Sequence, residues 1–341
     1  MRIVRAAHRL AVLSLATACA AMAGCRRSAT APAPVAGPVV LYTSVDEPYV
    51  RPLVRLFHER TGIDVQLLTD AEASKSVGLS EKLLAERDHP AADVWWDNEV
   101  FLTVRLADAG VLAPYDSPAA LDIPKRYRDP GHRWAGSVLR VRVLVSSTKL
   151  APADRPHGLA DLLKPALKGR VALARPTAGT TGGHIAALTV AWGLPRADAF
   201  FTALHGNGAK LLGGNSVVAE SVAHGDLLAG LCDNDDAAAT AADVGPLNSD
   251  LPDQGSDGQG TLAMPCAVAL VAGGPHPTAG KQLVDFLLSA EVDRALIDAK
   301  FGWCSARAAT GHGKFMPVDY PAVAAAMPAA IRRATATLEG R

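Results

Sequence analysis

Residues 227–236 read Leu-Leu-Ala-Gly-Leu-Cys-Asp-Asn-Asp-Asp. An apolar run of strand length ends abruptly in three carboxylates within four residues. Acids at the carboxyl end of a buried strand sit where open α/β sheets bind ligands. A second segment, Gly-Thr-Thr-Gly-Gly-His at 179–184, is a small-residue turn opening a helix. Helix starts leave backbone N–H groups unpaired and carry partial positive charge, so this one suits an anion. Asp233, Asp235 and Asp236 suit a cation or an ammonium. Neither segment carries the apparatus of a catalyst.

Outward from these two segments, strand and helix patterns alternate, which predicts α/β layers. Val39 to Thr43 reads as a first buried strand. A helix with Val50, Leu53, Val54 and Phe57 on one face follows, stopped by Gly62. Strands are expected at Ile63 to Leu68 and Ala92 to Trp96, with helices marked by Leu79, Leu83 and Leu84 and by Val100 to Ala109. Val138 to Val145 alternates, with Arg140 and Arg142 on one face and Leu139, Val141 and Val143 on the other. The pattern then restarts: a strand at Val171 to Ala174, a helix at Ile185 to Trp192 and another from Arg196 to His205. Asn215-Ser216 reads as a helix cap ahead of Val217 to Ala223. Leu262 to Val271 is a long apolar strand. Helices are expected at Thr278 to Leu288, at Glu291 to Ala299 and, rich in alanine, at Pro321 to Leu338. Long strands at 138–145 and 262–271 suggest two lobes joined by a hinge.

The chain has 341 residues, with 34 basic and 34 acidic side chains. A balanced, interspersed charge argues against nucleic acid as a partner, which wants a basic face. The N-terminus reads as an export signal. Arg2, Arg5 and Arg9 form its basic start, and Leu10 to Ala23 is too short to span a bilayer. It ends Met22-Ala23-Gly24-Cys25, which resembles a bacterial lipobox, so Cys25 is the expected lipidation site. Residues 26–38, rich in Ala and Pro with Ser28 among them, fit a flexible tether. Of five cysteines, Cys232, Cys266 and Cys304 belong to the mature body. They permit one disulfide and a spare thiol, or three buried small hydrophobes, and their spacing is not that of a metal site.

Several segments, in order along nearly the whole mature chain, together resemble the periplasmic solute-binding proteins of the ferric-iron class of ABC importers. They are Leu41-Tyr42-Thr43-Ser44, residues 59–65 (Glu-Arg-Thr-Gly-Ile-Asp-Val), residues 92–99 (Ala-Asp-Val-Trp-Trp-Asp-Asn-Glu), residues 109–115 (Ala-Gly-Val-Leu-Ala-Pro-Tyr), Gly179-Thr180-Thr181, Gly214-Asn215-Ser216 and Pro252-Asp253-Gln254. The resemblance implies a two-lobed type II periplasmic-binding-protein fold, each lobe a mixed sheet flanked by helices, with a two-strand hinge. It assigns 1–24 to the signal, 25–38 to the lipidated tether, 39–139 and 266–320 to the first lobe, 140–265 to the second and 321–341 to a C-terminal helix. It implies capture of ligand by lobe closure and delivery to a permease and its ATPase, with no chemistry and no cofactor. A ferric ion would enter only as cargo. The protein would be a monomer, periplasmic or at the cell surface, and tied to the membrane by its lipid alone.

Carried over residue by residue, the resemblance matches iron-binding members at Glu99, after the third strand, and near Asp46, after the first. Those members hold Fe³⁺ with adjacent tyrosines in the second lobe. This chain has no Tyr-Tyr pair, and Asp233, Asp235 and Asp236 stand at the comparable strand end. Relatives in the wider group bind phosphorylated sugars or aminoalkyl phosphonates. The candidate ligand contacts are therefore Thr43, Ser44, Asp46, Trp96, Asn98 and Glu99 on one side, and Thr180, Thr181, Asn215, Ser216, Asp233, Asp235 and Asp236 on the other. Glu99, Asp233 and Asp235 form the candidate metal set, since clustered carboxylates suit hard cations. Each acid has a structural alternative as a helix cap. One of Trp95 and Trp96 is expected in the core and the other toward ligand. Arg140 and Arg142 read equally as partners of an anion or as a solvated face. The alternative of another class is a secreted hydrolase using the acid cluster. Asp-x-Asp after an apolar strand resembles the phosphatase motif of haloacid dehalogenases, although Ala237 stands where that motif has Thr or Val.

Overall fold

In the computed structural model, the described residues are 37–70, 77–177 and 179–341. The expected signal peptide, Cys25 and almost all of the tether lie outside them. Parallel strands β1 (Val39–Thr43), β2 (Val65–Thr69) and β3 (Val94–Asp97) alternate with helices α1 (Glu47–Thr61) and α2 (Val77–Ala85). Helix α3 (Phe101–Asp108) and the short β4 (Leu112–Ala113) follow, and then the long β5 (Ala135–Ser147). Next come β6 (Val171–Ala174), α4 (Gly179–Trp192), α5 (Leu194–Gly206), β7 (Lys210–Leu212), α6 (Asn215–His224), β8 (Ala229–Asp233), α7 (Asn234–Asp243) and β9 (Leu247–Asp250). The chain ends with β10 (Ala263–Val271), α8 (Pro277–Leu287), α9 (Ala290–Asp298), β11 (Cys304–Ser305) and α10 (Tyr320–Leu338).

The strands run in the order β2-β1-β3-β10-β5-β8-β6-β7. β5 belongs to two sheets. Its first half pairs antiparallel with β10 and β11, and Arg142 to Ser147 pair antiparallel with β8 and β9. The change of partner falls between Val141 and Arg142. There the incoming chain runs alongside, with the Arg142 N–H donating to the Leu262 carbonyl and the Thr261 hydroxyl to the Arg142 carbonyl. All thirteen residues of β5 are buried, so its alternation marks two covered faces rather than one wet and one dry. β10 passes close over β5 at Gly136, where an added Cβ would lie 2.4 Å from that of Pro265. Pro265 has no N–H to give to the ladder, and the register shifts between Pro265 and Ala267.

The core is built mainly from Val, Leu and Ala, with Trp95 and Trp96 both enclosed at 0% and 1% exposure. The Trp95 indole N–H donates to the Thr103 hydroxyl. Neither indole faces solvent, so the expected division into one core and one ligand-facing tryptophan is not seen. Two further expectations shift. The Gly179-Thr180-Thr181 segment is the first turn of α4 itself. Gly214 caps α6, and Asn215 and Ser216 are its first two residues. Short strands β4, β7, β9 and β11 carry no periodic signal and appear only through their partners. Cys232, Cys266 and Cys304 are buried free thiols, as the small-hydrophobe reading expects. Among the described residues no helix is long and apolar enough to cross a membrane.

Candidate functional site

The topology brings five helix starts together. α1 and α3 follow parallel strands of the first sheet, and α4, α6 and α7 follow β6, β7 and β8 of the second. Each helix therefore begins at the carboxyl edge of its sheet, the place where such sheets bind ligands. Asp46 of α1 and Asp233 of α7 make no side-chain cap hydrogen bond, and Gly214 stands at the cap of α6.

On the first side, most predicted residues close upon one another. The Thr43 hydroxyl donates to the Trp96 carbonyl (2.7 Å) and accepts from the Val45 N–H. The Ser44 hydroxyl donates to Asp97 (2.6 Å) and accepts from the Asn98 N–H. Glu99 accepts from the N–H groups of Phe101 and Leu102, and so caps α3 from inside. Its carboxyl is fully buried, and burial pushes its pKa up to about 7 despite those two donors. Asp46 is half-buried at the start of α1.

Glu99 gives a pH prediction. Its ordinary value is 4.5, so the folded state holds its proton more tightly than the unfolded chain. That contribution is complete below about pH 4.5 and is lost as pH rises through about 7. Melting curves across this window should show wild-type stability declining more steeply than that of Glu99→Gln, by on the order of 3 kcal/mol in total. Parallel slopes for the two proteins would refute the assignment.

On the second side, β5 and β8 pair with Arg142 directly opposite Asp233. Opposed residues share a face, and so do residues two apart, so Arg140 lies on this face too. Arg142 Nη1 donates to Asp233 Oδ1 at 2.6 Å and to the Asn215 side-chain oxygen at 3.0 Å. Arg140 Nη2 reaches Asp235 at 2.6 and 2.7 Å and Asp233 at 3.2 Å. The Thr180 hydroxyl donates to Asp233 at 2.6 Å, and Asn215 Nδ2 to the same oxygen at 3.1 Å. Thr181 donates to Asn215. Ser216 and Asp236 are half-buried at the starts of α6 and α7. Arg140 also donates to the Asn98 carbonyl at 3.3 Å, so one guanidinium touches the carboxyl edges of both sheets.

Arg140 and Arg142 are 3% and 0% exposed, which rules out the solvated-face alternative. The sequence reading assigned the acids to a ligand cation; in the structure the two arginines supply the cations. Burial raises the Asp233 carboxyl, but Arg142 and Arg140 outweigh it and hold the pKa below the ordinary range. Asp235 is pushed up by burial and by the neighbouring Asp233 charge, against the pull of Arg140. Asp235 is therefore the more weakly held carboxylate. Burial works against the Arg140 charge as well, but Asp235 and Asp233 overcompensate. His184, behind this group, is kept neutral by burial and by Arg142, with its pKa lowered to about 3. Both arginines retain a buried Nε–H without a hydrogen-bond partner.

The metal set changes character accordingly. Oxygens of Asp233, Asp235 and Asp236 lie within 4.8 Å of one another, close enough for one ion. Asp233 and Asp235, however, each face a guanidinium, and the Glu99 oxygens are spent on α3. Two buried cations beside the acids repel a third. The same pairing leaves the hydrolase alternative without a free nucleophilic carboxylate at Asp233 or Asp235.

Three participants were not foreseen. Asn234 accepts from the Val141 N–H and donates to the Phe301 carbonyl, tying the acid stretch to β5. The Phe301 ring lies 5.2 Å from the Arg140 guanidinium carbon, within cation–π range. The Tyr49 ring of α1 lies 4.9 Å from that of Phe301, tilted by 44°, and its pKa is raised by burial and then by the charges of Asp235 and Asp46. Asn234 was legible inside the quoted stretch; Tyr49 and Phe301 carry no local pattern.

A family profile described as bacterial extracellular solute-binding protein matches residues 39–303. A Fe(3+)-binding periplasmic protein of Serratia marcescens is 32% identical over 178 residues, which cover 50% of this chain and 51% of that protein. Iron-bound HitA from Pseudomonas aeruginosa superposes with a TM-score of 0.76 at 24% identity, over 88% of this chain and 99% of its own. The periplasmic binding protein AfuA from Actinobacillus pleuropneumoniae, solved with fructose 6-phosphate, gives 0.76 at 20% identity, over 89% and 99%. These likenesses establish the two-lobed type II architecture.

Proposed function

Since the chain belongs to the family of bacterial extracellular solute-binding proteins, we propose that it is the solute-binding component of an ABC importer whose ligand is a small organic phosphate or phosphonate bearing hydroxyls or an amine. Its role is binding rather than catalysis. The observation that carries the ligand class is the buried pair Arg140 and Arg142, each with an unpartnered Nε–H, beside the starts of α4 and α6. Guanidinium forks and helix N-termini are the groups that recognise phosphate oxygens. The half-buried Asp236, Asp46 and Tyr49 offer acceptors and a phenol to the rest of such a ligand. Ferric iron is the second reading, favoured by the likeness to iron-binding proteins; the two guanidiniums beside Asp233 and Asp235 weigh against it.

We assign 39–139 and 266–320 to one lobe, 140–265 to the other and 321–341 to a terminal helix. The change of β5 partners between Val141 and Arg142 supports a hinge there. Closure about it would bury the ligand and present the closed form to the permease. Thr43, Ser44 and Asn98 then shape the first wall, and Thr180, Thr181, Asn215 and Ser216, at the starts of α4 and α6, shape the second.

Thermal-shift screening tests the ligand class, because a ligand that binds only the folded state raises the melting temperature. Fructose 6-phosphate and 2-aminoethylphosphonate are expected to stabilise the protein more than ferric citrate does. Stabilisation by ferric ion alone, with a tyrosinate charge-transfer colour, would restore the iron reading.

The lipid tether is part of the same proposal. A lipidated Cys25 supplies the paired acyl chains that stable anchoring needs. Cys25→Ala is expected to move the protein from the membrane to the soluble fraction. Retention at wild-type level would refute the tether.

A further inference from the structure

We propose that the protein carries a second binding site, apart from the candidate cleft, for a small organic carboxylate with an apolar body. The site is a cavity of about 370 Å³ between β10, α8 and the chain from Ala113 to Ala135. That volume lies at the lower end of the range for small-molecule sites. Val268 and Leu270 of β10, Val284 and Leu288 at α8, and Trp134 form an apolar wall. Leu121, 75% exposed, extends the apolar lining to the surface.

The charged groups of the lining are unequal in their partners. Asp129 is held by Arg133 through Nε at 2.7 Å and Nη2 at 3.0 Å. Asp116 pairs with His132. Lys125 and Arg128 have no acidic partner among the described residues, and Arg128 keeps a buried Nε–H with no acceptor. A buried donor without an acceptor is destabilising, and an occupant that supplies an anionic oxygen removes that penalty. The cavity thus asks for an anionic head beside Lys125 and Arg128 and for a hydrocarbon body against the β10–α8 wall. A bare phosphate would leave the wall uncovered, and a neutral apolar molecule would leave the Arg128 donor unmet. None of the lining residues belongs to the Arg140–Asp233 network, so the two sites are built independently.

Octanoate titrated calorimetrically into the full-length protein tests this. Saturable one-to-one binding is expected, with acetate and 1-octanol each at least about tenfold weaker, because each lacks one half of the required chemistry. The Lys125→Ala/Arg128→Ala double variant should lose about tenfold in octanoate affinity. Val284→Trp, which fills the cavity, should abolish octanoate binding. Both variants should keep the wild-type response to fructose 6-phosphate, whatever that response is. Failure of octanoate to bind, equal affinity in wild type and both variants, or displacement of octanoate by fructose 6-phosphate would overturn the proposal.

Discussion

Asp233→Ala is expected to be the most damaging single substitution in the body of the protein, costing about 3–5 kcal/mol. Asp233 accepts from Arg142, Arg140, Thr180 and Asn215, and it is 2% exposed. Removing it leaves Arg142, which is 0% exposed, with no carboxylate within hydrogen-bond reach. The desolvation already suffered by a buried cation is then uncompensated. At roughly 2–4 °C per kcal/mol for a body of this size, the melting temperature should fall by roughly 10 °C. Arg142→Met should recover part of the loss in the double variant, because it removes the stranded charge along with its partner. A loss under 1 kcal/mol for Asp233→Ala, or strict additivity in the double variant, would show that the buried pair does not hold this part of the fold.

Asp235→Asn is expected to change ligand affinity in a direction that identifies the ligand. Asp235 is bound to Arg140 at 2.6 and 2.7 Å, and burial beside Asp233 makes it the less stable carboxylate of the two. If a phosphate or phosphonate is the ligand, it competes with Asp235 for Arg140. Neutralising the competitor should then tighten fructose 6-phosphate by about tenfold, the equivalent of about 1.4 kcal/mol. If the acids instead hold a ferric ion or a ligand ammonium, the same change should weaken binding by a similar factor. Titration calorimetry with wild type and variant separates these outcomes by sign. Arg140→Ala should weaken phosphate binding, which guards against an indirect gain through altered lobe packing. Tighter ferric binding in Asp235→Asn would contradict both readings of this carboxylate.

The sequence carried more of the fold than of the site. The strand Val171–Ala174 falls where the apolar run places it, and the alanine-rich C-terminal helix begins one residue before its expected start. Such elements are legible because burial of one face imposes a local period on neighbouring residues. The acids at 233–236 and the turn at 179–181 stood out for a related reason, polar residues set against an apolar strand end, and the fold brings the two segments into contact through Thr180 and Asp233.

The glycines of the turn had a second role that no local pattern revealed. A Cβ on Gly183 would lie 2.2 Å from the Phe101 ring, and one on Gly182 would lie 2.6 Å from Ile331. These two glycines let α3 and α10 approach α4. Helix packing therefore accounts for the glycines, while the threonine hydroxyls bond to Asp233 and Asn215.

What the sequence determined by itself was the alternation of elements, the carboxyl-edge position of the acids and the family likeness. What only the tertiary structure decided was which charges those acids meet. Arg140 and Arg142 lie more than ninety positions from Asp233 and Asp235. Whether they face solvent, an anion or each other depends on the register of β5 against β8, which places Arg142 opposite Asp233. A shift of one residue would turn both guanidiniums to the other face of the strand. Register is set by packing across the whole sheet, and so the composition of the site is a property of the assembled fold.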